Sequence, residues 1–153
     1  MRVIVAAVGR PRNVALAAAI EFYETRAARY WPLTVHEVRE ESARSIGPDL
    51  VRIREAERLA AKAEGANLVV CDELGEAMTS DAFARFMQAA RERARDVAFV
   101  IGGAFGVAPA LRDRASRRLA LAPWTLPHEM ARLVLAEQLY RAGTIVRGEP
   151  YHK

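Results

Sequence analysis

The sequence contains a single cysteine, no long hydrophobic run and no metal-ligand spacing, and each shortage excludes a class of protein. One cysteine, Cys71, cannot form an internal disulfide framework or a zinc site built from several cysteines. No apolar run approaches the roughly 20 residues of a membrane-spanning helix, and no cleavage pattern follows the short apolar start. His, Asp and Glu do not recur at ligand spacing, so we expect no metal. These shortages predict a soluble, cytoplasmic protein.

The basic residues are almost all arginine, which bears on the kind of partner. The chain has 21 arginines and 2 lysines against 19 acidic residues, a formal net charge of +4. A basic balance favours nucleic acid, because the guanidinium fork matches phosphate geometry and stacks on bases. A general bias toward Ala and Arg would also produce this excess, so charge alone does not decide. Hydrophobic residues make up 52% of the 153, enough for one full core, which excludes a mainly disordered chain.

Apolar runs alternate with stretches of helical periodicity along the chain. The apolar, often β-branched runs predict strands at 3–8, 33–38, 67–72, 97–101 and 119–121. Helical spacing predicts helices at 14–30, 48–65, 80–90, 109–115 and 130–140. Asn13 and Thr79 are candidate caps, and the segments predicted as loop or tail include 39–47, 74–75 and 144–153. The alternation predicts one α/β domain over residues 1–153, with helices on both faces of a parallel sheet.

A glycine-rich turn is the first candidate for ligand binding. Gly102, Gly103 and Gly106 follow the most apolar predicted strand and precede a helix. Glycines let the backbone approach a ligand closely, and the ligand crevice of an open α/β sheet lies beyond the carboxyl ends of its strands. The turn matches neither the G-x-G-x-x-G fingerprint nor the P-loop. A ligand-binding turn and a purely structural one both remain consistent with it.

Two further stretches carry candidate site residues. Residues 121–128 combine two prolines with Trp124, and such a rigid loop could line a pocket with backbone groups and a flat indole. Trp124 could equally be a core or interface aromatic, and the two prolines could simply mark the ends of the loop. The tail, residues 147–153, carries Arg, Tyr, His and Lys. Tails of this kind usually fray, whereas His152 would suit a proton acceptor near neutral pH.

Four stretches taken in order resemble one known family. They are VIGGAFG at 100–106, WTLPH at 124–128, AEQLYRA at 136–142 and GEPYHK at 148–153. Together they resemble the ribosomal RNA large-subunit methyltransferase H family, which methylates N3 of a pseudouridine in 23S rRNA and belongs to the SPOUT superfamily. The likeness covers nearly the whole chain, and the ordered set is specific although each motif alone is weak. Gly143 departs from the pattern, because a large aromatic residue is common there.

The resemblance implies a fold that periodicity cannot show. The C-terminal part would form a trefoil knot, an exception to the rule that chains stay unknotted. It also implies a homodimer that binds S-adenosylmethionine in the knotted loops. By the family pattern, the expected cofactor-binding residues are Cys71, Gly102, Gly103, Leu121, Ala122, Pro123, Trp124, Thr125 and Leu126.

The chemistry of the implied reaction selects the remaining candidates. N3 of pseudouridine carries a proton that must leave, so a base or an anion-stabilising cation is needed. We expect His152 to be the base, with Tyr151 and Arg141 positioning or stabilising the acceptor ring, and His128 and Arg132 contacting substrate. The implied partner is 23S rRNA within the assembled ribosome, where shape supplies specificity. A net charge of +4 is too small to bind free RNA tightly.

Three other interpretations stay open from the sequence. The chain could be a SPOUT methyltransferase of a different RNA site, which whole-chain likeness alone would distinguish. It could be a non-catalytic RNA- or ribosome-binding module, which would lack cofactor affinity. It could also be an α/β enzyme that binds a flavin or a nucleotide, although the phosphate-loop signatures of such proteins are missing.

Overall fold

Five parallel strands form one sheet in the computed structural model, which describes residues 1–152. The strand order is β2-β1-β4-β3-β5, with bounds β1 Val3–Val8, β2 Leu33–Val38, β3 Asn67–Ala77, β4 Val97–Ile101 and β5 Arg117–Ala120. Within these residues six helices occur: α1 Val14–Ala27, α2 Ala43–Ile46, α3 Pro48–Lys62, α4 Ser80–Glu92, α5 Pro109–Asp113 and α6 His128–Arg147. The predicted α/β class with a parallel sheet is confirmed. Lys153, the last residue of the predicted tail, lies outside the described residues.

Helices cover both faces of the sheet, which explains why the central strands are continuously apolar. Every residue of β1 and β4 is buried. One face packs against α1, α4 and α6, and the other packs against α3 and α5. Strands buried on both faces need apolar side chains at every position rather than at alternate ones. The edge strand β2 is only partly buried, with Thr34 and Glu37 exposed and Val38 buried, so its burial does not alternate strictly as its sequence predicts.

The predicted helix starts are confirmed by their capping contacts. The Asn13 side chain accepts a hydrogen bond from the Leu16 N–H at 3.0 Å, and the Thr79 hydroxyl accepts one from the Ala82 N–H at 3.1 Å. Pro48 occupies the first turn of α3, where its missing N–H costs no hydrogen bond. Local chemistry therefore decides where these three helices begin.

Several boundaries differ from the predictions. Helix α1 ends at Ala27 rather than at residue 30, because the chain turns there and the Trp31 indole N–H donates to the Leu139 carbonyl at 2.8 Å. The predicted loop at 39–47 contains the short helix α2. Helix α6 continues through the predicted start of the tail and ends only where Gly148 adopts a left-handed conformation.

The largest difference concerns β3, which was predicted to end at Asp72 and extends to Ala77. Strand β5 pairs with both parts of it across a register shift, so that Cys71 and Glu76 both align with Leu119. The predicted loop at Leu74 and Gly75 is instead part of β3, where both residues lie in the bulge between the two paired parts. The second paired part aligns with a strand some 45 residues away, which the local sequence does not show.

Tyr30 packs directly across α6 at Gly143. An ideal Cβ on Gly143 would lie 2.7 Å from Cδ1 of Tyr30 and closer still to Cγ. The Tyr30 ring therefore occupies the space that a larger side chain at position 143 would need.

We expect Gly143→Ala to lower the free energy of unfolding by about 1–3 kcal/mol, as overpacking does. That loss exceeds the gain of up to about 1 kcal/mol that alanine brings to a helix interior. Urea unfolding measures it. In a Tyr30→Ala background the clash is gone, and the same substitution should be neutral or stabilising. An equal loss in both backgrounds would contradict this packing argument.

Candidate active site

The carboxyl ends of β3, β4 and β5 open into a cleft of about 760 Å³. Ile101 is the last residue of β4, Leu121 follows β5, and Cys71 is the last β3 residue paired before the register shift; each lines the cleft. The remaining walls come from the glycine-rich turn, from the loop before α6 and from the start of α6. This is the edge at which open α/β sheets bind ligands, and the volume suits a ligand of nucleoside size.

The glycine-rich turn is so tight that two of its positions require glycine. The Gly106 N–H donates to the Gly103 carbonyl at 3.0 Å, and Gly106 has a φ of +75°. An ideal Cβ on Gly102 would lie 2.7 Å from the carbonyl carbon of Gly106, so no other residue fits without moving backbone. The turn thus presents main chain to the cleft, while Phe105 at its tip is 42% exposed.

The loop at 121–127 forms the facing wall. Leu121 and Leu126 pack against the core, whereas the Trp124 side chain is 70% exposed at the rim. The Thr125 hydroxyl donates to the Glu73 carboxylate, which ties the loop to the bulge of β3. Eight of the nine expected cofactor residues line the cleft, and Pro123 does not. Their proximity to one another follows from the fold, while their contact with a cofactor stays a prediction.

Charged residues that the sequence did not select also line the cleft. Arg112 from α5 lies 3.5 Å from the Asp72 carboxylate, and Arg52 from α3 pairs with Asp49. Asp72 and Glu73 lie in the bulge of β3, and Asp72 also accepts the Leu74 N–H at 3.0 Å. No sequence signal identifies the two arginines, because helix packing alone brings them to this edge.

Burial raises the pKa of the Cys71 thiol to about 12. We therefore expect negligible alkylation of the folded protein by iodoacetamide at pH 8, since the thiolate is the reactive form. Mass spectrometry of the intact chain gives the result without ambiguity, because Cys71 is the sole cysteine. The urea-unfolded chain is the positive control. Equal labelling rates in the folded and unfolded chains would contradict the raised pKa of this half-buried thiol.

The predicted catalytic residues form a second cluster, with Arg141 on α6 and Tyr151 and His152 in the tail that follows it. The Arg141 guanidinium lies 3.2 Å from His152 Nδ1, and its Nε donates to Glu137 at 2.9 Å. The Tyr151 hydroxyl donates to the same Glu137 carboxylate at 3.0 Å, and its ring lies 4.7 Å from the Arg141 guanidinium carbon. Burial, together with hydrogen bonds to Tyr23 and Glu137, raises the Tyr151 pKa, so its hydroxyl stays protonated. The tail through His152 is thus packed rather than frayed.

The tail cluster and the cleft lie apart within one chain. His128 and Ala131 line the cleft, whereas Arg141 lies ten residues beyond Ala131 along α6. At 1.5 Å per residue, that separation is about 15 Å. Arg132, expected to contact substrate, is 7% exposed and pairs with carboxylates on α1 and β2. The structure therefore brings His128 to the cleft but not Arg132, and both roles stay predictions.

Within residues 1–152, no group of three or more His, Cys, Asp or Glu side chains is arranged to hold a metal ion. Among the helices of the same residues, none is long and apolar enough to cross a membrane.

Comparison with known proteins places this chain in a family. The family model described as "Predicted SPOUT methyltransferase" matches residues 1–152. The chain is 63% identical to ribosomal RNA large subunit methyltransferase H of Gemmatimonas aurantiaca over the full length of both chains. It is 49% identical to the protein of that name from an Anaeromyxobacter species, strain Fw109-5, again over the full length of both.

A solved structure supports the fold at lower sequence similarity. A probable methyltransferase from Bordetella pertussis superimposes with a TM-score of 0.58 at 15% identity, covering 92% of this chain and 95% of the other. A likeness at that identity concerns the fold alone. The full-length relatives and the family model together show that the chain belongs to the ribosomal RNA large subunit methyltransferase H family of SPOUT methyltransferases.

Proposed function

We propose that this protein transfers a methyl group from S-adenosylmethionine to N3 of a pseudouridine in 23S rRNA of the assembled ribosome. The observation that carries the proposal is the cleft at the carboxyl ends of β3, β4 and β5, in a chain of this family. Both of its main walls, the glycine-rich turn and the 121–127 loop, coincide with motifs by which the sequence resembles the family.

The residues of the cleft suit S-adenosylmethionine. Gly102 and Gly103 expose main-chain groups, and Leu121 and Leu126 supply an apolar wall on which an adenine ring can lie. Backbone groups of the fixed 121–127 loop can hydrogen-bond the polar edge of that ring. When bound, S-adenosylmethionine supplies an electrophilic methyl group on a positively charged sulfur. The protein's part is to align the acceptor with that methyl group and to exclude water.

The tail cluster supplies the proton chemistry that the acceptor needs. Arginine is only a donor, so His152 Nδ1 accepts from Arg141 and the neutral ring carries its proton on Nε2. In the proposed reaction, Nδ1 exchanges this contact for the N3 proton of the acceptor. The Arg141 guanidinium then faces the negative charge that develops on the pyrimidine ring of the acceptor, and the Tyr151 ring positions that pyrimidine ring.

A homodimer would bring the tail of one protomer to the cleft of its partner. The two clusters lie about 15 Å apart along α6 in one chain, so a second chain is the simplest way to join them. We also propose the C-terminal trefoil knot of the SPOUT fold and a cytoplasmic location, where ribosomes occur. Specificity for the assembled ribosome follows from the small net charge, which disfavours tight binding of free RNA.

A transfer assay with methyl-labelled S-adenosylmethionine tests the proposal. The acceptors are assembled ribosomes from a strain that lacks the modification and, in parallel, naked ribosomal RNA. Label at a pseudouridine of the large-subunit RNA in ribosomes, located by mass spectrometry, is the expected result. Label on naked RNA alone would overturn the ribosome requirement and keep the methyltransferase. Ribosome binding without any label would favour a non-catalytic module.

A further inference from the structure

Glu55 on α3 is a buried carboxylate with one unpaired oxygen. The residue is 2% exposed, and its Oε1 accepts the Glu41 N–H at 3.0 Å. Its Oε2 has no hydrogen-bond partner among residues 1–152 and is itself inaccessible to solvent. An unpaired buried carboxylate oxygen is costly, and groups of this kind cluster at functional sites.

The unpaired oxygen lies directly behind the glycine-rich turn. An ideal Cβ on Gly103 would lie 2.8 Å from Glu55 Oε2 and 3.0 Å from a methyl carbon of Val8. Gly103 itself lines the cleft. Because Gly103 has no side chain, only the main chain of the turn, which forms the wall here, separates the Glu55 carboxylate from the cleft.

The arginines near Glu55 pair with other carboxylates, so none of the ion pairs described here involves Glu55. Along the cleft, Arg52 pairs with Asp49 and Arg112 lies 3.5 Å from Asp72. Behind the turn, the Arg58 guanidinium pairs with Glu41 rather than with Glu55. Burial raises the pKa of the Glu55 carboxyl, and the Glu41 N–H hydrogen bond opposes that rise.

We propose that Glu55 is a specificity-determining residue that favours the cationic cofactor over the neutral product. S-adenosylmethionine carries a sulfonium charge, and S-adenosylhomocysteine, which remains after transfer, does not. A carboxylate behind the wall attracts the first ligand and leaves the second almost unaffected, which promotes product release. The inference rests on the proposed methyl donor and concerns binding rather than chemistry.

The test measures the dissociation constants of both ligands by calorimetry at pH 8 for the wild type and three variants. Glu55→Gln keeps the shape and the Oε1 acceptor but removes the charge. We expect it to weaken S-adenosylmethionine binding about fivefold and to leave S-adenosylhomocysteine binding unchanged. Glu55→Asp keeps the charge and should keep the wild-type ratio of the two constants. Glu57→Gln, at an exposed position of the same helix, should change neither constant.

Thermal unfolding of each variant reports its folding. Equal weakening of both ligands in Glu55→Gln would show a structural role only and overturn the inference. Should that variant fail to fold, Glu55→Asp decides, because a ratio different from the wild type in this charged variant would also overturn it. Binding of neither ligand by the wild type would overturn the proposed methyl donor, and the inference with it. If the wild type binds both ligands and Glu55→Gln leaves the ratio of their two dissociation constants unchanged, the inference about Glu55 is overturned and the proposed methyl donor is kept.

Discussion

Replacement of Arg132 by methionine is expected to lower the free energy of unfolding by about 3–5 kcal/mol, the usual cost of removing one partner of a buried ion pair. The Arg132 guanidinium lies 2.7 Å from both Glu24 and Glu37, and it ties α6 to α1 and β2. Burial opposes the charge on Arg132, but its hydrogen bonds to the two carboxylates outweigh burial and raise its pKa. Methionine would fill the space and leave the half-buried Glu24 without its cation. Urea denaturation of the wild type and the variant measures the loss.

A second variant distinguishes the cost of leaving the Glu24 carboxylate without its cation from the cost of lost packing around position 132. Glu24→Gln combined with Arg132→Met removes both charges and should recover more than half of the lost stability. Glu37 needs no such change, because Arg10 also pairs with it at 3.1 Å. No recovery in the double variant would contradict the ion-pair explanation. An increased KM for ribosomes in folded Arg132→Lys would instead support a direct substrate contact.

Much of the fold follows from local patterns that act over a few residues. The strands β1 and β4 are apolar at every position because both of their faces are covered, and that pattern is visible in the sequence. The caps Asn13 and Thr79 act on N–H groups three residues away, so their chemistry is also local. These elements could therefore be predicted without knowledge of their neighbours.

The elements that were missed depend on distant partners. Strand β3 continues past Asp72 because β5 pairs with it on both sides of a register shift, and no local pattern contains that information. Arg52 and Arg112 reach the cleft because α3 and α5 pack beside the glycine-rich turn. Sequence analysis could identify the candidate turn and both helices, but not that the helices pack beside the turn.

The sequence around Glu55 contains a sign that this carboxylate is buried. Val51, Glu55 and Leu59 occupy successive positions four residues apart on α3, and all three are buried. A glutamate in the apolar stripe of a helix is unusual, because a buried carboxylate costs free energy. The anomaly could have been predicted from spacing alone, whereas its position behind Gly103 could not.

The His152→Ala variant should reduce methyl transfer by about 10²- to 10⁴-fold, the usual contribution of a positioned general base. His152 lies beside Arg141 and 3.8 Å from Asp81. Affinity for S-adenosylmethionine should remain unchanged, because the proposed role of His152 is to take the proton of the acceptor and not to bind the cofactor. The assay uses labelled cofactor with saturating ribosomes, and His36→Ala, on the edge strand β2, is the matched control. Full transfer by His152→Ala with unchanged cofactor affinity would show that His152 is not the base.

Coexpression of two inactive chains tests whether that base serves the partner's cleft. One chain carries His152→Ala and keeps its cleft, and the other carries Ala122→Trp, which fills the cleft and keeps the tail. In a homodimer with shared sites, each mixed dimer contains one intact cleft facing one intact tail. Equal coexpression should then restore about one quarter of wild-type activity per chain, because half of the dimers are mixed and each has one working site. If tail and cleft acted within one chain, no mixed dimer would hold a complete site, and activity would stay at the level of the single variants.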